Sequence, residues 1–143
     1  MDYRILSVFP DLLSYGFGSY FLAPAIIRVA VASVFVYLAL THFKGKAAVA
    51  GELTLPKISR ETAVLGVWVL IGAELALAFT LFFGVWTQIA AILGALACIK
   101  AIVLRRKFPV IYPLSPLVYT LLAVMCAVLL LTGAGAFAFD LPL

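Results

Sequence analysis

A single carboxylate, Glu74, lies in the middle of the apolar run 62–83, which contains no other charged residue. About 20 apolar residues, rising about 1.5 Å each as a helix, cross the hydrocarbon core of a bilayer. Glu74 is therefore predicted to lie near the membrane midplane, where a carboxylate costs on the order of 3 kcal/mol. We expect it to be paired, protonated or facing a polar cavity, and it is the leading candidate for a functional residue.

A second ionisable residue, Arg28, lies in the first apolar run of the chain. Counted by helical rise from the same membrane surface, Arg28 is about 10 Å deep and Glu74 about 14 Å deep, so a long guanidinium could reach the carboxylate. However, side chains lean toward the N-terminus of their helix, which directs Arg28 outward and Glu74 inward. The sequence leaves two alternatives for Arg28: an ion pair with Glu74, or a side chain extended to the lipid headgroups.

The short connection after the second apolar run supplies three further candidates, Trp86, Thr87 and Gln88. They are expected to cluster close to the positions predicted for Arg28 and Glu74. An aromatic ring beside hydrogen-bonding groups suits the planar head of a quinone, which carries two carbonyl acceptors. The alternative is an aromatic belt residue next to a capped helix start. Together with Arg28 and Glu74, these residues form the candidate polar site.

The remaining polar or reactive residues of the apolar runs have structural interpretations. His42, next to Lys44, is interpreted as an interfacial residue, and Lys100 as a side chain that extends to the membrane surface. Cys98 and Cys126 have no CxxC pattern and no metal-ligand spacing, so both are predicted to be small packing residues. The sequence predicts neither a metal site nor a covalently bound cofactor.

Composition sets the class of protein. Of the 143 residues, 66% are hydrophobic and only 11% are charged, more apolar surface than a water-soluble domain of this size could bury. The apolar runs are continuous rather than alternating, which favours helices over a β-barrel. We predict a single membrane domain over 1–143: an all-α integral membrane protein in which a short N-terminal interfacial segment, 1–20, precedes a four-helix bundle. The predicted spans are 21–43, 62–83, 85–104 and 116–138.

Basic residues predict the orientation in the cell membrane. Seven Lys and Arg residues fall in loops 44–61 and 105–115, whereas the opposite side carries only Arg4. Because cytoplasmic loops carry the excess of Lys and Arg, both loops are predicted to be cytoplasmic and both termini outside. The formal net charge of +4 is attributed to this orientation and to contact with anionic lipid heads, rather than to a nucleic-acid partner.

The chain resembles the DoxX family in several segments. They are FPDLLSYGF followed by LAPAIIRVAVASVFVYLAL, then GAELALAFTLFFGVWTQIAAILGALACIKAI, and the closing LLTGAGAFAFDLPL. The resemblance marks Arg28, Glu74 and the turn 84–88 as family-type positions. Many relatives end that turn with Thr-Arg, whereas this chain has Gln88, so an anion-binding role is not carried over to it. The chain also has Thr41–His42 where a small residue is frequent.

The resemblance implies a small four-helix membrane protein, associated in some relatives with thiosulfate:quinone oxidoreductase or other redox complexes. Our leading hypothesis is a membrane subunit of a redox system that binds quinone or docks an oxidoreductase partner near the outer leaflet. Arg28 and Glu74 would form the polar core of that site, and the turn residues Trp86, Thr87 and Gln88 would lie at its mouth. The sequence shows no haem, flavin or iron–sulfur ligand set, so electrons would come from that partner. The alternatives are a non-enzymatic assembly or scaffold protein and a small proton-coupled transporter that uses Glu74 as its titrating group. The sequence leaves open whether the chain is an enzyme and whether it forms a homo-oligomer.

Overall fold

The computed structural model describes residues 19–54 and 59–132, and the elements within these ranges are helices joined by turns. Three of the helices are long and apolar enough to cross a membrane, and the last is a shorter apolar helix. The all-α membrane fold is confirmed, with a helix at each of the four predicted spans. Most of the predicted interfacial segment, and the part of the fourth span beyond Thr132, lie outside the described residues. The helices are α1 (Ser19–Lys44), α2 (Lys46–Leu53), α3 (Arg60–Phe83), α4 (Thr87–Leu104) and α5 (Pro116–Thr132).

The four long helices form a ring around one apolar core. Helix α1 packs mainly on α3 and α4 packs mainly on α5, while smaller contacts between α1 and α5 and between α3 and α4 close the ring. Phe35, Leu81 and Leu129 are among the buried core side chains, whereas large apolar side chains such as Phe79 and Leu131 point outward and are exposed. An exposed apolar surface around a packed core is what lipid tails would cover.

We name the two ends of this bundle by their connections. The turn end is formed by Gly84–Trp86, between α3 and α4. The loop end is where α1 and α4 finish and α5 begins, and it carries the two basic loops.

The backbone conformation of single residues explains the tight turn between α3 and α4. Gly84 closes α3 in the left-handed region at φ 67°, which glycine adopts without a Cβ penalty. Trp86 also has a positive φ, of 51°, which is rare for a bulky residue. Its side chain is 69% exposed, the position of an aromatic residue that anchors a protein at a membrane surface. Since only three residues join the helices, α3 and α4 are antiparallel neighbours.

At its other end, α3 begins after Ser59, whose side-chain oxygen accepts a hydrogen bond from the backbone N–H of Thr62 at 3.3 Å. This is an N-cap, because it satisfies one of the free N–H groups in the first helical turn. The N-cap therefore fixes the start of α3 at Arg60, two residues before the predicted span 62–83.

Helix α2 was not predicted, because it lies inside the segment interpreted as loop 44–61. It is eight residues long, too short to be stable alone. It is held by a second apolar cluster at the loop end, in which its buried Val49 and Ala50 pack with Ile71 of α3 and Ile111 of the α4–α5 loop. The loop end is therefore a packed layer rather than a free connection.

The close approach of α4 and α5 depends on Gly94. A Cβ at this position would lie 3.1 Å from the Sγ of Cys126 and 3.5 Å from the ring of Phe35. We expect Gly94→Leu to destabilise the protein by about 1–3 kcal/mol through overpacking, measured by unfolding in detergent. The control is Gly72→Leu, because a Cβ on Gly72 meets no atom within 4 Å. Equal losses in the two variants would contradict the close approach.

Candidate functional site: a buried histidine–glutamate pair

The partner of Glu74 is His42. The Nδ1 atom of His42 lies 2.8 Å from Oε2 of Glu74, and both residues are buried. The other ring nitrogen, Nε2, lies 2.8 Å from the backbone carbonyl oxygen of Ile111. One imidazole therefore connects α1, α3 and the loop between α4 and α5. The interpretation of His42 as a surface residue at the membrane interface is wrong, since only 2% of its side chain is exposed.

The hydrogen-bond geometry fixes the number of protons in the pair. A carbonyl oxygen can only accept, so Nε2 of His42 carries a hydrogen and donates it to Ile111. Between Nδ1 and Oε2 lies one further proton, carried either by an imidazolium facing a carboxylate or by a carboxylic acid facing a neutral imidazole. Both arrangements have no net charge, which suits a site sheltered from water. The pair thus holds a single shared proton.

The carboxyl group of Glu74 keeps one oxygen available. Among residues 19–54 and 59–132, the hydrogen bond of this carboxyl group joins Oε2 to Nδ1 of His42, and Oε1 has no partner. The side chain is 11% exposed. A ligand could therefore bind Oε1 without breaking the bond to His42.

The pair lies close to the loop end of α1 and beside the α4–α5 loop. His42 is two residues from the end of α1, and Ile111 belongs to the α4–α5 loop. Helix α3 begins 14 residues before Glu74, about 21 Å by helical rise, so its first half extends past α1 and packs on α2.

A second carboxylate holds the loop that meets His42. Glu52 of α2 accepts hydrogen bonds from the backbone N–H groups of Val110 at 2.9 Å and of Ile111 at 3.0 Å. Ile111 is thus held from both sides, through its N–H by Glu52 and through its carbonyl by His42. Sequence reasoning missed both roles. The only signals were an acid in a basic loop and a lone histidine at a position where the family frequently has a small residue.

Tyr112 adds a neutral hydroxyl to the loop end. Burial raises the pKa of its phenol, and the nearby negative charge of Glu74 raises it further. Both effects favour the protonated phenol. Its ring packs edge-on against Tyr119, with 6.4 Å between centroids. Tyr112 therefore stays a hydrogen-bond donor over the physiological pH range.

The other predicted site residues lie at the turn end. Arg28 precedes His42 by 14 residues on α1, about 21 Å, which is too far for Arg28 to share the ion pair of Glu74. Phe35 of α1 contacts Gly94 of α4, and two helical turns earlier on these parallel helices lie Arg28 and Thr87. Arg28 and Thr87 therefore lie at the same height along the bundle axis, and both are buried.

The turn-end residues differ in the direction they face. Arg28 and Thr87 face the interior, whereas Trp86 and Gln88 are exposed. The structure thus divides the predicted five-residue site, with Glu74 at the loop end and the other four residues at the turn end.

Comparison with known proteins supports the family resemblance. A sequence model of the DoxX family matches residues 23–106, more than half of the chain. The match includes α2, α3 and α4 completely and most of α1, with Arg28, His42 and Glu74, whereas the quoted segments at the two termini lie outside it. Neither the curated proteins nor the solved structures contain a significant match. With its helical bundle, apolar spans and matched residues, the chain belongs to the DoxX family of integral membrane proteins.

Proposed function

We propose that this chain is the membrane subunit of a redox system and that it binds a quinone at the His42–Glu74 pair. The supporting observation is a buried pair that holds one shared proton and leaves Oε1 of Glu74 without a partner in the described part of the chain. A quinone head supplies two carbonyl oxygens that take up protons when it is reduced. Buried groups with a shared proton are the kind that exchange protons with such a ligand.

Each residue has a separate role in this proposal. Oε1 of Glu74 accepts a hydrogen bond from a hydroxyl of the reduced head, and the phenol of Tyr112 donates one to a carbonyl of the oxidised head. The carbonyl of Ile111 holds the ring of His42 in place, so the pair can exchange its proton without turning the imidazole. An oxidoreductase partner supplies the electrons. We place the loop end in the cytoplasm and both termini outside, following the basic loops.

The test is the quinone content of protein purified gently in native lipid, extracted and quantified per chain. Glu74→Gln keeps a hydrogen bond to His42 but cannot hold the shared proton. We expect near-stoichiometric quinone in the wild type and a loss of roughly tenfold or more in this variant, since a bond to a charged group is worth about 1.5–3 kcal/mol. The control is Glu61→Gln on the exposed first turn of α3. Background quinone in all three proteins would overturn the proposal.

The same assay locates the site. Loss of quinone in Arg28→Gln with retention in Glu74→Gln would move the site to the turn end, to the residues Arg28, Trp86, Thr87 and Gln88.

A scaffold function is the second candidate, and one observation favours it. The bonds from His42 and Glu52 to Ile111 tie three elements together and account for these side chains without any ligand. A scaffold predicts that partner proteins fail to co-purify with the Glu74 variant while quinone is absent throughout. A proton-coupled transporter predicts instead that Glu74→Gln abolishes coupled flux in vesicles, again without bound quinone.

A further inference from the structure

A pocket at the loop end carries positive charge and lies apart from the His42–Glu74 pair. It has a volume of about 540 Å³ and lies between α2 and the first half of α3. Its charged lining residues are Lys46 and Arg60, and acidic side chains are absent from the described residues that line it. The walls are apolar or small, with Val64, Val67 and Trp68 on the α3 side. The pocket therefore combines two cations with an apolar wall.

Two aromatic rings lie beside the ammonium group of Lys46. Its Nζ lies 5.2 Å from the centroid of the Phe43 ring and 5.7 Å from that of Trp68, and these two rings meet edge-on at 5.9 Å. Such cation–π contacts hold an ammonium in place without neutralising its charge. Lys46 is thus positioned at the pocket with its charge available to an anion.

We propose that this pocket binds the phosphate headgroup of an anionic membrane lipid. Lys46 follows the end of α1 and Arg60 begins α3, so each cation lies at the loop end of a membrane-spanning helix, the part of such a helix that reaches the lipid phosphates. Basic pockets between transmembrane helices bind such headgroups. The exposed apolar side chains of Val64 and Trp68 provide the wall along which an acyl chain lies. A water-soluble phosphate compound would gain nothing from that wall.

Two variants test the site from different directions. Lys46→Gln/Arg60→Gln removes the charge. Gly51→Phe fills the space, because Gly51 lines the pocket and a Cβ there meets no atom within 4 Å. Replacing a glycine inside α2 also favours the helix, so this variant is expected to fold. The matched control is Arg106→Gln/Lys107→Gln, which removes two exposed charges from the other basic loop, including a lysine over the ring of Phe108.

The measurement is thermal unfolding in detergent with added phosphatidylglycerol, phosphatidylcholine or inorganic phosphate, together with the phosphatidylglycerol retained per chain. We expect phosphatidylglycerol alone to raise the wild-type Tm, and each cation to contribute about fivefold in affinity. The charge variant should then bind roughly 30-fold more weakly, Gly51→Phe should lose the shift, and the control should keep it.

Three outcomes would overturn the proposal. An equal Tm shift in all variants would indicate general attraction between a basic surface and anionic lipid. A shift with inorganic phosphate as large as that with lipid would indicate a phosphate site rather than a lipid site. Retention of phosphatidylglycerol by Gly51→Phe would place the lipid elsewhere.

Discussion

His42→Leu is expected to destabilise the protein by about 3–5 kcal/mol, because it leaves the buried carboxyl group of Glu74 without its partner. It also leaves the carbonyl of Ile111 without a donor. Glu74→Leu is expected to cost less, about 1–3 kcal/mol, since a neutral histidine still donates to Ile111. The two losses should therefore be unequal although the two residues share one bond.

The double variant His42→Leu/Glu74→Leu distinguishes a coupled pair from two independent residues. With both groups gone, no unpaired ionisable group remains, so the double variant should be no less stable than His42→Leu alone. The measurement is the free energy of unfolding of all four proteins under one detergent condition. Coupling between contacting groups is typically about 0.5–3 kcal/mol. Simple addition of the two single losses would show that the pair is not coupled.

Glu61→Leu is the control for the loss of an acid from α3. Glu61 is exposed in the first turn of that helix, where a negative charge is worth at most about 1 kcal/mol. If Glu61→Leu lost as much unfolding free energy as Glu74→Leu, the loss would reflect a general effect of net charge on the detergent-solubilised protein.

Much of the fold could be predicted because the hydrocarbon core restricts the solutions. A continuous, predominantly apolar run of about 20 residues favours a helix there, and the helices at the four runs follow. The cap at Ser59 and the tight turn at Gly84 were also recognisable, since each depends on a residue type with one local role. Helix α2 could not be recognised in the same way, because its eight residues depend on packing against α3 and Ile111 rather than on their own propensity.

The candidate site was only partly predictable. Glu74 was singled out correctly as a group that needs a partner, and His42 is that partner. Which residue becomes the partner of Glu74 depends on the axial register of α1 against α3. Apolar side chains that face lipid do not encode that register. Depth counted from the ends of the runs brought Arg28 near Glu74, whereas the longer α3 brings His42 there instead.

Glu52→Ala is expected to release the α4–α5 loop from α2. The two hydrogen bonds from the loop to Glu52 end at a charged acceptor, but this residue is only partly buried, so together they are worth about 2 kcal/mol. Limited trypsin digestion after the exposed Arg106 and Lys107 measures the change. If cleavage follows opening of the loop, the rate should rise by about tenfold or more. The cleavage rate of Glu52→Gln should lie between the rates of the wild type and of Glu52→Ala, because the glutamine amide has only one accepting oxygen for two N–H groups.

The effect of Glu52 should extend to the His42–Glu74 pair, because Glu52 and His42 hold the same residue from its two sides. Once Ile111 is released from Glu52, its carbonyl no longer has a fixed position, and the bond that orients His42 weakens. Glu52→Ala and His42→Leu should therefore destabilise the protein by less together than the sum of their separate effects. Additive losses, with unchanged loop cleavage, would show that the loop is held by the apolar packing of Ile111 alone. Subadditive losses would show that α2 controls the orientation of His42 through one loop residue.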